Sequence, residues 1–211
     1  MRKLIVLVYA WACAASAWAA PFPHRVHLAQ GMQCVTCHAA APASTKSTDN
    51  LLPKKDICLN CHEDVQIPAP PQTNLTHFSH ALHLKMGDVA PFLAQAIDHK
   101  VYLTTPGDRT AWIRPRLNTK NPCEACHRGL EESDQVTPAA LPQMADCLVC
   151  HADIQAPFSC WNCHDEKADL RPPSHTEIPH FMDAHSSGKV QLDKATCALC
   201  HGRNFRCMGC H

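Results

Sequence analysis

The sequence has few aromatic residues and almost no long apolar segments. Phe, Trp and Tyr together make up 6% of the 211 residues, and no segment after residue 20 is apolar enough to span a membrane. Lys and Arg equal Asp and Glu in number, at 19 each, and they form no basic run. We therefore expect no transmembrane span and no nucleic-acid binding, and the sequence has few large side chains with which to build a conventional core.

Cysteine and histidine are abundant instead, with 15 and 16 copies. Fourteen cysteines belong to seven Cys-x-x-Cys-His pentapeptides, called sites 1 to 7 in chain order. The fifteenth, Cys13, lies in a segment that we expect to be removed, so no cysteine remains for a disulfide framework. The seven sites occupy residues 34–38, 58–62, 123–127, 147–151, 160–164, 197–201 and 207–211.

Each pentapeptide is typical of c-type haem attachment, in which two thiols bond one haem and the following His ligates its iron. A zinc knuckle or a redox dithiol also uses Cys-x-x-Cys, but neither needs a His after every pair. The sequence therefore predicts seven covalent haems c. Their cysteines are Cys34, Cys37, Cys58, Cys61, Cys123, Cys126, Cys147, Cys150, Cys160, Cys163, Cys197, Cys200, Cys207 and Cys210, and their proximal ligands are His38, His62, His127, His151, His164, His201 and His211.

The N-terminus has the features of a secretory signal. Arg2 and Lys3 precede about 12 apolar residues, which are too few to span a bilayer, and the small-x-small segment 17–19 is a cleavage site. A lipoprotein modified at Cys13 is the alternative. We predict removal of residues 1–19 and export to the periplasm, or further to the cell surface or outside the cell.

Two histidines, His24 and His27, lie three residues apart just before site 1, so on a helical turn they share one face. The segment Phe-Pro-His-x-x-His followed by Cys-x-x-Cys-His resembles the start of the triheme cytochromes c7, relatives of the class III cytochromes c3. In that family the first His is the distal ligand of the first haem, and the second serves a later haem. The resemblance implies that His24 pairs with His38, and His27 with His62.

A second copy of this pattern begins at residue 77. His80 and His83 repeat the first histidine pair, and sites 3 and 4 are 24 residues apart, as are sites 1 and 2. This self-similarity indicates an internal duplication. By the repeat, His80 pairs with His127 and His83 with His151, while the role of His77 stays open.

The second copy contains an insert, residues 84–122. We expect a short amphipathic helix over residues 91–99 and a strand-like or docking segment over residues 110–116, packed over a haem edge or used to contact a partner. His99 is either a ligand or a surface residue. Near the C-terminus His175, His180 and His185 are spaced five apart, which predicts a turn-rich segment supplying the three remaining distal ligands.

These features predict a mostly irregular and α-helical fold with little β-structure, in which short helices and loops surround a stacked chain of haems that acts as the core. The expected units are module 1 (20–73, two haems), module 2 (74–170, three haems) and module 3 (171–211, two haems).

The expected function is electron transfer, not catalysis. Nine histidines remain for seven distal positions, so a second His can occupy the sixth coordination position of every iron. Ligation by two histidines gives a haem a low reduction potential. The partners would be redox proteins of anaerobic respiration or extracellular electron transfer. One alternative is a multihaem reductase of a nitrogen or sulfur oxyanion at one open haem. Another is a subunit of a cytochrome filament or outer-membrane conduit, reached by self-association or docking on a membrane complex.

Overall fold

Short helices and irregular segments make up the structure, a computed structural model that describes residues 22–67, 69, 73–103, 109–151, 160–171, 173–176, 181–189 and 194–201. This confirms the predicted fold class, mostly helical and irregular with little β-structure. The longest helix has nine residues. In chain order the helices are α1 (His24–Ala29), α2 (Cys34–Cys37), α3 (Lys55–Cys58), α4 (His80–Lys85), α5 (Ala90–Asp98), α6 (Thr110–Arg116), α7 (Met144–Leu148), α8 (Pro173–Thr176), α9 (Phe181–Ser186) and α10 (Lys194–His201).

Within the described residues, four 3-10 turns supplement these helices, at Ala41–Ala43, Leu130–Glu132, Pro138–Ala140 and Cys160–Asn162. In the described ranges, extended pairing is limited to an isolated antiparallel bridge between Leu75 and His164. The backbone N–H groups of Thr76 and His77 also donate to the carbonyl of Cys163, at 2.9 and 3.1 Å. The segment that opens module 2 is thus held against site 5.

The insert builds a side-chain core. Helix α5 begins with Pro91 in its first turn, where a missing N–H costs nothing, and buries Ala90, Leu93 and Ala94 along one face. These residues pack with Ala96, Tyr102, Ile113, Leu117, Ala125 and Ala145. The expectation that haems alone form the core was therefore too strict, because the insert brings its own apolar helix faces.

Residues 110–116 form helix α6, so the prediction of a strand-like segment was wrong. The β-branched and aromatic residues there resemble a strand, but helical spacing places Ile113 and Leu117 four residues apart on one face, where both are buried. Trp112 lies between Arg109 and Arg116, whose guanidinium carbons are 4.3 and 4.2 Å from its ring centroid. Burial and cation–π contact override local strand propensity.

The C-terminal histidines also differ from the expectation of a turn-rich segment. His175 lies in α8 and His185 in α9. Histidines spaced five apart do not share a face of one helix, but here separate short helices carry His175 and His185. His180, the site 7 residues Cys207, Cys210 and His211, and the signal segment 1–19 lie outside the described residues.

Gly129 offers a test of the packing beside α6. Its φ of +74° favours glycine, and an added Cβ would lie 2.9 Å from Cζ2 of Trp112. Gly87 has a similar φ of +86° with no neighbouring atom within 4 Å of a Cβ. We expect Gly129→Ala to lower the free energy of unfolding by about 2 kcal/mol or more, and Gly87→Ala by about 1 kcal/mol, in denaturant titrations of the holoprotein. Equal losses would contradict this account of the Trp112 contact.

Candidate functional site: cysteine turns and paired histidines

Each described pentapeptide closes a single helical turn. In sites 1 to 5 the His backbone N–H donates to the carbonyl of the first Cys, at 2.9–3.0 Å. This i→i+4 bond puts the two cysteines, three residues apart, on the same side of the turn. Two thiols on one side and a His at the end match the attachment of one flat ligand. The first cysteines of these turns are Cys34, Cys58, Cys123, Cys147 and Cys160.

The twelve cysteines of sites 1 to 6 are all free thiols, so within the described ranges none is used in a disulfide. Burial raises the pKa of Cys126 and of Cys147 to about 11, with the nearby Asp146 carboxylate as the next cause. These values apply to the chain before haem attachment. No group of three or more His, Cys, Asp or Glu side chains arranged to hold a metal ion occurs in the described part of the chain.

The histidines meet in pairs instead. The ring centroids of His24 and His38 are 6.4 Å apart, and those of His27 and His62 are 6.1 Å apart. The repeat gives the same arrangement: His80 and His127 are separated by 6.4 Å, and His83 and His151 by 6.3 Å. The four pairings expected from the family resemblance and the repeat are therefore the ones that the structure brings together.

The pair spacing fits one metal ion between two rings. A metal–imidazole nitrogen bond is about 2.0 Å and the ring centroid lies about 1.1 Å behind that nitrogen, so two opposite imidazoles place their centroids about 6.2 Å apart. The observed separations of 6.1–6.4 Å agree with this value. Direct ring stacking would bring the centroids closer, as in the 4.6 Å between Phe22 and His27. The donor set and its spacing therefore fit a bis-histidine haem iron.

Hydrogen bonds leave the Nε2 atom of several rings free for metal. His38 Nδ1 is 2.7 Å from the carbonyl of Leu51, and His127 Nδ1 is 3.2 Å from that of Ala140. Because a carbonyl only accepts, Nδ1 must carry the proton, which makes Nε2 the basic nitrogen. His27, His83 and His164 make the same type of bond, to the carbonyls of Pro23, Ser79 and Asn74. Such bonds fix the tautomer and orientation of metal-ligating histidines.

Two distal candidates differ from this pattern. Nδ1 of His24 and Nδ1 of His80 are both buried, and neither has a protein hydrogen-bond partner. Burial is the main cause that lowers the pKa of both imidazoles, and neighbouring histidines lower it further. Burial likewise lowers the pKa of His127. A depressed pKa keeps a ring neutral, which is the form that can ligate iron.

Sequence reasoning used Phe22 and Phe78 as part of the repeat but gave them no role. Phe22 stacks on His27 and meets the edge of His24, with both centroids at 4.6 Å. Phe78 does the same with His83 at 4.5 Å and His80 at 4.8 Å. Each Phe thus supports two rings at once. The recurrence of Phe-x-His-x-x-His was the signal that could have revealed this role.

A buried cluster of an aspartate, an arginine and a tyrosine lies between sites 3 and 4, and sequence reasoning missed it. Asp146 accepts from Arg128 at 2.6 Å and from the Tyr102 hydroxyl at 2.8 Å, and all three side chains are buried. Arg128 directly follows site 3 and Asp146 directly precedes site 4, while Tyr102 comes from the insert. Module 1 has Ala39 and Ile57 at the two equivalent positions, so the group is specific to module 2.

The other candidate ligands differ in whether the structure pairs them with a site histidine. His175 and His201 form a further pair, with centroids 6.3 Å apart, and His185 is half-buried in α9. His164 lies beside Asn74, and the candidate ligand His180 is outside the described residues. His77 and His99 are both exposed, and the structure pairs neither ring with a site histidine in the ranges that it describes.

Helical turns that present two thiols and a His, opposite a second His, define a c-type cytochrome with covalently bound haem and an electron-transfer role. The comparison with protein families agrees, since residues 20–74 match the family described as cytochrome c7 and related cytochrome c. This confirms the resemblance to the c7 family over module 1. No curated protein and no solved structure matches the chain. None of the described helices is long and apolar enough to cross a membrane.

The buried Asp146 tests how sites 3 and 4 are joined. We expect Asp146→Asn to lower the free energy of unfolding by about 3 kcal/mol, because it leaves the Arg128 guanidinium buried without its counter-charge. The matched control is Asp134→Asn, which removes the exposed partner of Arg25 and should change stability little. Denaturant titrations of both holoproteins give the comparison. Similar losses would show that the Asp146–Arg128 pair is not a structural requirement.

Proposed function

We propose that this protein is an exported heptahaem cytochrome that carries electrons between redox protein partners along mostly bis-histidine haems. The observation that carries the proposal is the set of paired histidine rings at 6.1–6.4 Å, each joining a proximal His of a Cys-x-x-Cys-His turn to a second His. Two ligands per iron leave no position for a substrate, which favours electron transfer over catalysis.

Haem c supplies reversible one-electron chemistry at its iron when bound, and the chain sets the conditions. The Nδ1 bonds to backbone carbonyls orient the imidazoles and raise their basicity. Phe22 and Phe78 hold the distal rings against rotation. Bis-histidine ligation favours low potentials compared with a His/Met pair. Together these features support low-potential haems whose ligands do not exchange during each redox cycle.

Helix α1 supports the close spacing that electron transfer needs. It carries both His24 and His27, whose positions differ by about 4.5 Å along the helix axis at 1.5 Å per residue. The haems of sites 1 and 2 would therefore share one short helix, and α4 does the same for sites 3 and 4. This arrangement and the repeat support placing sites 1 and 2 in one module and sites 3 and 4 in the next, within the proposed division into modules of two, three and two haems.

The proposal also includes the cellular location of the protein and the respiratory pathway in which it acts. The signal-like residues 1–19 support export to the periplasm, where haem c attachment takes place, and the redox partners would act in anaerobic respiration or extracellular electron transfer. The specific donor and acceptor would be met by haem edges near the protein surface.

Haem counting tests the number of attachment sites. We expect intact-mass measurement of the exported, purified protein to give one chain, without residues 1–19, plus seven haems. Alkaline pyridine spectroscopy should give the same ratio of haem to protein. Cys58→Ser combined with Cys61→Ser removes both thiols of site 2 and should lower the count to six. A wild-type count below seven would contradict the assignment of every pentapeptide.

Carbon monoxide tests whether every iron has two protein ligands. We expect the visible spectrum of the dithionite-reduced protein to be unchanged by carbon monoxide, because no axial position is open. His24→Ala removes one distal ring and should make about one seventh of the haem absorbance respond. His99→Ala is the matched control, since His99 is an exposed histidine at the end of α5, and it should remain unresponsive. A wild-type response near one seventh would instead favour the oxyanion-reductase alternative.

A further inference from the structure

The two duplicated modules contain nearly identical local geometry. In module 1 the ring planes make angles of 9° for His24 with His38 and 45° for His27 with His62. In module 2 the corresponding angles are 13° and 47°. One helix therefore joins two sites in each module, α1 for sites 1 and 2 and α4 for sites 3 and 4. The open question is which site of module 1 adjoins module 2.

Asn121 answers this by bonding to both modules. Its Nδ2 atom donates to Sγ of Cys34 at 3.5 Å, and its Oδ1 atom accepts from the backbone N–H of Cys123 at 3.1 Å. Two further bonds fix Asn121. Its backbone N–H donates to Oγ1 of Thr119 at 3.0 Å, and its Nδ2 atom also donates to Oε1 of Glu124 at 3.1 Å. One side chain thus spans from the first cysteine of site 1 to the first cysteine of site 3.

Backbone contacts hold the same two ends together from both sides. The N–H of Arg25 in α1 donates to the carbonyl of Ser133 at 3.0 Å, and the Arg25 side chain pairs with Asp134 at 2.8 Å. In return, the N–H of Ala81 in α4 donates to the carbonyl of Ser44 at 2.9 Å, just after site 1. The two modules therefore contact each other close to site 1 and close to site 3.

Site 2 lies away from this junction. The hydrogen bonds that the structure describes for its turn are local, such as Asn60 to the carbonyl of Ile57, and Lys55 pairs with Asp64 beside it. Cys61 and His62 are exposed. In the described part of the chain, site 2 is joined to the rest through α1 and site 1.

We propose that the two modules meet head to head, so that electrons pass through the sites in the spatial order second, first, third and fourth. A tandem duplication joined head to tail would instead follow the chain order and place site 2 beside site 3. The order matters because electron exchange and Coulomb coupling both weaken with distance. This inference rests on the proposed function, since it concerns the haems that these sites would hold.

The first test uses the unmodified holoprotein. Bis-histidine ferrous haem is diamagnetic, so proton NOEs are measurable in the fully reduced state. We expect NOEs between the β-protons of Cys34 and those of Cys123, and none between Cys123 and either Cys58 or Cys61. NOEs from site 2 to site 3 in place of those from site 1 would overturn the head-to-head order. This outcome leaves the proposed electron-transfer function intact, so the two failures are distinguishable.

The second test counts redox neighbours. A Met ligand raises the potential of a haem, so His24→Met should make site 1 the first to be reduced, and His27→Met should do so for site 2. The added electron then lowers the potential of each adjacent haem. In the proposed order, NMR-monitored redox titration detects two shifted neighbours in His24→Met and one in His27→Met.

The chain order 1–2–3–4 predicts the reverse, one neighbour for His24→Met and two for His27→Met, and that result would overturn the proposal. If neither variant contains a haem of raised potential and neither gains a haem that binds carbon monoxide, the histidines are not axial ligands, and the proposed bis-histidine function fails together with the inferred order. The two variants are matched controls for each other, because both replace a distal His on the same six-residue helix.

Discussion

The structure depends on one constraint, which is that two imidazole rings face each other at a separation that fits one metal ion. The separations of 6.1–6.4 Å recur in pairs whose members are far apart in the chain, such as His83 and His151. Short helices satisfy this constraint because their histidines lie one turn apart and serve two sites. Carbonyl acceptors on Nδ1, together with Phe22 and Phe78, then fix the rings. A large side-chain core is unnecessary where cofactors and their ligands join distant segments.

Module 2 nevertheless has such a core, and its origin is the insert. Helices α5 and α6 pack with Ala125 and Ala145, which lie within site 3 and just before site 4. Tyr102, which belongs to the insert, donates its hydroxyl hydrogen bond to Asp146 of the buried Arg128–Asp146 pair. A buried ion pair is costly unless its remaining hydrogen bonds are satisfied, and Tyr102 supplies one of them. The insert therefore braces the two sites, whereas module 1 has neither the insert nor the pair and relies on contacts with its neighbour.

Several residues show why the sequence predicts histidine pairs but does not predict the packing around them. His24, His27, His80 and His83 were recognisable because their spacing and repetition are local patterns. Residues 110–116 were misassigned because strand propensity is weaker than the burial of Ile113 and Leu117 on one helix face. Asp146 and Arg128 carried no signal, since an acid and a base 18 residues apart look like two ordinary surface charges.

The sequence by itself determined the attachment chemistry. Two thiols and a His within five residues form one helical turn in each of sites 1 to 5, so the identity of these sites needs no distant contact. Tertiary structure alone decided which sites adjoin. Asn121 and Cys34 are 87 residues apart, and their contact depends on how α1 packs beside Leu130–Glu132 and how α4 packs beside Ala41–Ala43. A repeat in sequence fixes the copies, but the relative orientation of two copies is set by the surfaces that they bury against each other.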